Sequence, residues 1–334
     1  MKRFIIKFNM ILVALLVIPT LAGHAHVKWF TETEPVRAPI EEIISPLFIS
    51  LAILTAVILA ILPQLVPKTM NIDLLKKVEK KLATFRPFTF PIIKYGAALA
   101  IIIQVFTGGL FAPELLAPSD LLAVFPWVAI VLLVIPNKYA SKGAGIILFI
   151  LFGLTTWEYG IFHMLDYAFY LAVIFVLLFH GTKLHDWSFP FLYLATGLSL
   201  CWVAVEKFVY PTMATDVIMN HGVPTFGFAP ETFVILSAYI EFVVGYLLVV
   251  GILNRLLALV LTLIFVSTTM LFGMTEIIGH LMIHIILVTF IIEGVSFYRP
   301  PIDMHHTPFE KIVFIFLNFL FVLATILLIY YRFA

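Results

Sequence analysis

Long apolar runs separated by short polar breaks dominate this chain, and within the runs neither a two-residue alternation nor a helical stripe stands out. A bilayer hydrocarbon core about 30 Å thick takes about 20 apolar residues per helix. On that scale we count ten spans, near 45–64, 91–111, 121–136, 144–159, 161–180, 189–209, 231–250, 256–273, 275–293 and 310–331. Helices surrounded by lipid and by one another are apolar on every side, which is why periodicity carries little here.

Before these spans, Lys2 and Arg3 precede an apolar run from Ile11 to Leu21, and Gly23-His24-Ala25 offers small residues at a cleavage site. Residues 1–25 are therefore expected to be a signal peptide or an uncleaved signal anchor. Cleavage after Ala25 would make His26 the N-terminus, whose amine and imidazole suit a copper ion. Either way, His26-Val27-Lys28-Trp29-Phe30 is expected outside.

Composition removes the soluble alternative. Of 334 residues, 63% are hydrophobic and only 12% charged, against about 25% charged in an ordinary soluble domain. The net charge of +1 shows no basic excess to attract nucleic acid. The single cysteine, Cys201, excludes an internal disulfide and thiolate clusters.

The basic residues predict an orientation. Residues 68–86 hold Lys76, Lys77, Lys80, Lys81 and Arg86, read as an amphipathic surface helix, and are expected in the cytoplasm. Counting spans alternately then places Lys138, Lys142, Lys183, Arg255, Arg299 and Lys311 on the same side. The opposite loops, 112–120 and 210–231, are poor in Lys and Arg. This pattern is that of a bacterial-type inner membrane protein with its mature N-terminal segment outside.

The chain also matches itself. Phe88-Thr89-Phe90-Pro91 opens one span as Trp187-Ser188-Phe189-Pro190 opens another. Thr155-Thr156-Trp157-Glu158-Tyr159-Gly160 aligns with Thr268-Thr269-Met270-Leu271-Phe272-Gly273, followed in register by His163 or Glu276 and by Gly181 or Gly294. Each unit holds four spans, so the repeats run parallel about an axis along the membrane normal. The expected organisation is an outer N-terminal segment, one span and a cytoplasmic helix over 26–86, a first four-helix repeat over 87–181, a second over 187–294, and a cytoplasmic loop with a C-terminal span over 295–334.

Ionisable groups inside a membrane are costly and mark candidate chemistry. Glu276, His280 and His284 recur every four residues and so share one helix stripe. At 1.5 Å rise per residue the outer two stand about 12 Å apart, so one ion cannot take all three. An adjacent pair with groups from other helices would make a metal site, and a hydrogen-bonded chain running inward fits equally. Glu241 falls near mid-membrane and must be protonated, paired or in a wet cavity. Lys207 is expected to snorkel outward and Glu206 to face inward. His163 and Asp166 are three apart, a spacing that lets a carboxylate orient an imidazole, and with Glu158 they predict a composite outward-facing site. An interfacial belt of polar and aromatic residues is the bland alternative. In the outer loop, Asp216, His221 and Glu231 are weaker candidates. His180, His185, His305 and His306 read as solvated or interfacial.

The second unit resembles the DoxX family of four-helix membrane proteins. The resemblance rests on Gly197 and Glu206-Lys207 in its first helix, Glu241-Phe-Val-Val-Gly245 and Gly251-Ile-Leu-Asn-Arg255 in its second, and Gly273 and His280 in its third and fourth. The first unit departs from it, with Gly108 opposite Lys207 and Val128 opposite Glu241. The resemblance implies an all-α polytopic membrane protein of two parallel four-helix DoxX-like repeats with flanking transmembrane helices. Some members of that family are membrane subunits of thiosulfate:quinone oxidoreductase, others accompany redox enzymes, and many have no assigned activity. The implied function is a redox-associated subunit with a transition metal or quinone as cofactor and a membrane or periplasmic redox partner. Glu241, Glu206, Lys207, His163 and Asp166 would move protons, and Glu276, His280 and His284 would hold a metal. A transporter or metal-handling protein and a non-catalytic assembly factor remain the alternatives.

Overall fold

The computed structural model describes residues 27–69, 73–118, 120–251, 254–294 and 307–334. The expectations for the leader 1–25 and for His26, His305 and His306 lie outside the described residues. The chain is helical: α1 (Pro46–Thr69), α2 (Asp73–Ala83), α3 (Thr89–Phe106), α4 (Val124–Val134), α5 (Lys138–Tyr159), α6 (Ile161–Met164), α7 (Phe169–Phe179), α8 (Ser188–Val209), α9 (Pro211–His221), α10 (Pro230–Val250), α11 (Asn254–Phe272), α12 (Met274–Glu293) and α13 (Pro308–Phe333). Among the described residues the strands are confined to one small hairpin, β1 (Gly109–Leu110) with β2 (Ala112–Leu116), paired antiparallel.

Among the described residues, seven helices are long and apolar enough to cross a membrane, and eight if the bent pair at Ile161–Tyr167 and Phe169–Phe179 counts as one span. Ten spans were expected. The run at 161–180 bends by 68° between Ile161–Tyr167 and Phe169–Phe179, and Gly160 before it, with φ of +88°, turns the chain out of α5. The runs at 121–136 and 45–64 fall on the shorter apolar helices Leu121–Val134 and Pro46–Leu62. The span expected to reach residue 111 stops at Phe106, because Gly108 (φ +84°) starts the hairpin and Gln104 Oε1 accepts the Phe111 N–H at 2.8 Å. The span expected from 144 begins at Lys138 instead, where Asn137 caps it by accepting the Tyr139 N–H at 2.7 Å.

Helices α8 and α10 cross with their backbones in close approach. A Cβ on Gly197 would lie 2.5 Å from Gly245 O, and one on Gly245 would lie 2.6 Å from Gly197 O. Small residues let two backbones meet where no water drives them together. Helix α3 also packs on α12, and α7 on α8. Helix α13 crosses α1 and touches α8.

One end of the bundle carries Arg86, Arg255, Glu79 and Glu293. Arg255 donates to Glu79 at 2.6 Å and to Ile291 O at 2.7 Å, the latter a carbonyl near the end of α12. The other end carries the hairpin, α9 and the segment 27–38. That segment is strapped down: Thr31 donates to Asp216 at 2.8 Å, Ala38 N–H to Val209 O at 2.9 Å, and His221 Nε2 lies 3.2 Å from Phe30 O. Asp216 and His221, read as loop candidates, thus fasten this segment to α9.

Candidate functional site

Within the strap, Val27–Trp29 forms a single helical turn whose side chains reach α8, α12 and the α6–α7 bend. Lys28 Nζ reaches Asp166 Oδ2 at 2.7 Å, from the α6–α7 bend, and Glu206 Oε2 at 2.9 Å, from α8. Tyr330 of α13 donates to Glu206 at 3.2 Å. Trp29 Nε1 donates to Tyr167 Oη at 3.1 Å, while its indole lies against His280, ring centroids 4.8 Å apart. Gly279 makes room for that ring. Helix α12 and the turn at Leu165–Tyr167 thus meet through one inserted pair, Lys28 and Trp29.

A second cluster adjoins it on the hairpin. Glu114 Oε1 accepts from Tyr167 Oη at 2.5 Å and lies 2.9 Å from His163 Nε2. Burial pushes the Glu114 carboxyl up, but the hydrogen bonds from His163 and Tyr167 prevail and hold it below the ordinary glutamate value. Burial pulls the Lys28 amine down, yet the charges of Asp166 and Glu206 outweigh that and hold it well above the ordinary lysine value.

Two cavities lie at this end. The outer one, about 640 Å³, is open and is lined by Lys28, Glu114, His163, Glu206, Tyr330 and aromatic side chains including Phe162 and Phe333. The inner one, about 30 Å³, lies behind Trp29 and is lined by Asp166, Thr196, Ser199, Glu241, Phe265 and His280, among others.

Five of the expected proton-handling residues converge on this region. Asp166 and Glu206 share Lys28, and His163 meets Glu114. Lys207, expected to snorkel, is instead buried and bonded to Glu241. Glu241, near the middle of α10, offers it a partner inside, so its stem has no reason to extend outward. The pairing of His163 with Asp166 is not observed: Asp166 turns inward to Lys28, and Glu114 takes the imidazole. Glu158 is exposed at the end of α5.

On α12, Glu276 is fully buried with Oε1 3.0 Å from His280 Nδ1. His284 stands one turn away, at the edge of the Phe265 ring. Among the described residues, no three or more His, Cys, Asp or Glu side chains gather where they could hold a metal ion. The sequence reading missed Lys28, Glu114, Tyr167 and Tyr330 as site members. Glu114 carried a usable signal, an acid in a short apolar loop. Lys28 carried none, because its partners lie 138 and 178 positions away.

Neither a curated protein nor a solved structure matches the chain. Residues 192–274 match the DoxX family, about a quarter of the chain. The matched stretch holds Glu206, Lys207 and Glu241 and stops at the first residue of α12. This is an integral membrane protein with a DoxX family domain at residues 192–274.

Proposed function

We propose that this protein is a redox-associated membrane protein whose outer cavity takes the head group of a quinone. The observation that carries the reading is the cavity's wall: aromatic faces beside two acid–base groups, Glu114 with His163 and Glu206 with Lys28. Its volume falls within the ordinary range of small-molecule sites, about 300–1,000 Å³. A quinone gains or loses a proton at each ring oxygen as it is reduced or reoxidised, so it needs positioned acids and bases around an apolar ring. The quinone-linked relatives implied by the family resemblance point the same way, which is an argument by analogy.

We read 87–181 and 187–294 as diverged parallel repeats, supported by their reciprocal packing, α3 on α12 and α7 on α8. The aligned glycines Gly160 and Gly273, and Gly181 and Gly294, all have positive φ. We place the cavity end outside and the Arg86 and Arg255 end in the cytoplasm, on the positive-inside pattern.

The test is a titration of the detergent-solubilised protein with a short-chain benzoquinone, read by quenching of tryptophan fluorescence. Saturable quenching that weakens at least tenfold in Phe162→Ala and His163→Ala is expected. Absence of saturable binding overturns the reading.

A further inference from the structure

The two cavities share a wall, and that wall is made of charged groups. Glu206 and Lys28 face the outer cavity, whereas Asp166 and Glu241 face the inner one. One ammonium, Lys28, touches a carboxylate from each side, at 2.7 and 2.9 Å. The remaining oxygens, Asp166 Oδ1 and Glu206 Oε1, are buried and have no hydrogen-bond partner among the described residues. Asp166 and Glu206 are each 2% exposed. A buried carboxylate oxygen without a donor is costly unless it carries a proton or exchanges one.

We propose that Glu206, Lys28 and Asp166 form a proton-transfer bridge from the outer cavity to the inner one, ending on Asp166 across the inner cavity from the Lys207–Glu241 pair. A proton entering from the outer cavity binds Glu206 and makes it a carboxylic acid. Glu206 then passes a proton to the Lys28 nitrogen as the Lys28 ammonium gives one of its own to Asp166. The net change is Glu206 acid and Asp166 carboxylate becoming Glu206 carboxylate and Asp166 acid, with the lysine charge restored.

Glu32 and Glu34 also line the outer cavity, and the other ionisable groups around the bridge have partners of their own. Tyr330 donates to Glu206, Glu114 holds His163 and Tyr167, Lys207 holds Glu241, and Glu276 lies beside His280. That leaves the two facing carboxylates as the groups with room for the transferred proton. The inner cavity, at about 30 Å³, has space for roughly one water between Asp166 and Glu241, beside Thr196 Oγ1, which is likewise buried without a partner. The bridge goes beyond the quinone reading and does not depend on which ligand the outer cavity takes.

The experiment uses the full chain in lipid nanodiscs with no quinone added, followed by infrared spectroscopy as H₂O is exchanged for D₂O. A buried carboxylic-acid stretch is expected that shifts promptly on deuteration in the wild type. It should be lost in the double variant Asp166→Asn/Glu206→Gln, and its deuteration should slow at least tenfold in Lys28→Gln. Should the double variant not fold, Glu206→Gln alone must slow deuteration of the remaining acid at least tenfold. An acid band of unchanged intensity in a folded double variant, or unchanged deuteration in Lys28→Gln or Glu206→Gln, overturns the bridge. A protein that binds no benzoquinone yet passes this test loses the quinone reading and keeps the bridge.

Discussion

Gly279 lies so close under the Trp29 indole that a methyl group on it would sit 2.0 Å from the ring. The contact ties α12 to a segment about 250 positions earlier in the chain. The ring cannot withdraw without also giving up the Trp29 to Tyr167 hydrogen bond. Gly279→Ala should therefore displace Trp29 and destabilise the protein by about 1–3 kcal/mol, the usual cost of overpacking. A lowered melting temperature with a shifted tryptophan emission would show it. Melting at the wild-type temperature would mean that the strap is not held by this contact.

The Gly197 and Gly245 crossing makes a different demand. A Cβ at either position meets the opposite backbone, at 2.5 or 2.6 Å, so α8 and α10 must separate. We expect Gly197→Ala and Gly245→Ala each to cost about 1–3 kcal/mol. The double variant should cost clearly less than the sum, because helices already pushed apart accommodate the second methyl. Thermal melts of the three variants in one detergent decide it, and simple additivity would count against a shared crossing.

Lys207 is fully buried against a half-buried Glu241, and removing the lysine leaves that carboxylate uncompensated. Lys207→Met should destabilise by about 3–5 kcal/mol. The double variant Lys207→Met/Glu241→Leu should recover much of that loss, since replacing a buried pair by apolar groups is often near neutral. Recovery is measured by melting temperature and by monodispersity after solubilisation. A double variant as unstable as the single would show that Glu241 has a second role in holding the fold.

Glu114 sets an acid limit on the hairpin. Its carboxyl lies below the ordinary value of 4.5 in the folded protein, so its contribution is fully present above that value. The contribution is lost as pH falls through the lowered folded value, because the unfolded chain takes up the proton first. Between about pH 5 and pH 3, wild type should lose stability more steeply than Glu114→Gln. Parallel acid limbs in the two proteins would remove Glu114 from the account.

The membrane-embedded, all-helical class was legible in the residues from Lys28 to Ala334 because an apolar run of about 20 residues has few other stable homes. Gly197, Gly245 and the Glu206-Lys207 pair were legible for a similar reason: small and charged residues stand out against an apolar background. The bend between Tyr167 and Phe169, the early end of α3 at Phe106 and the inward turn of Lys207 were not. Each depends on a partner from another element, and an apolar run reads the same whether it crosses straight or folds back.

By itself, then, the sequence determined that the chain is a polytopic helical membrane protein, which helices carry its costly charges, and that the unit over 187–294 resembles the DoxX family. Those are local properties, set by transfer free energy and residue type along a short stretch. Only the tertiary structure decided that Lys28 joins Asp166 to Glu206, that Glu114 rather than Asp166 holds His163, and that Trp29 closes an inner cavity. Such pairings connect residues as many as 178 positions apart, and which carboxylate finds which cation depends on packing geometry that no periodicity records.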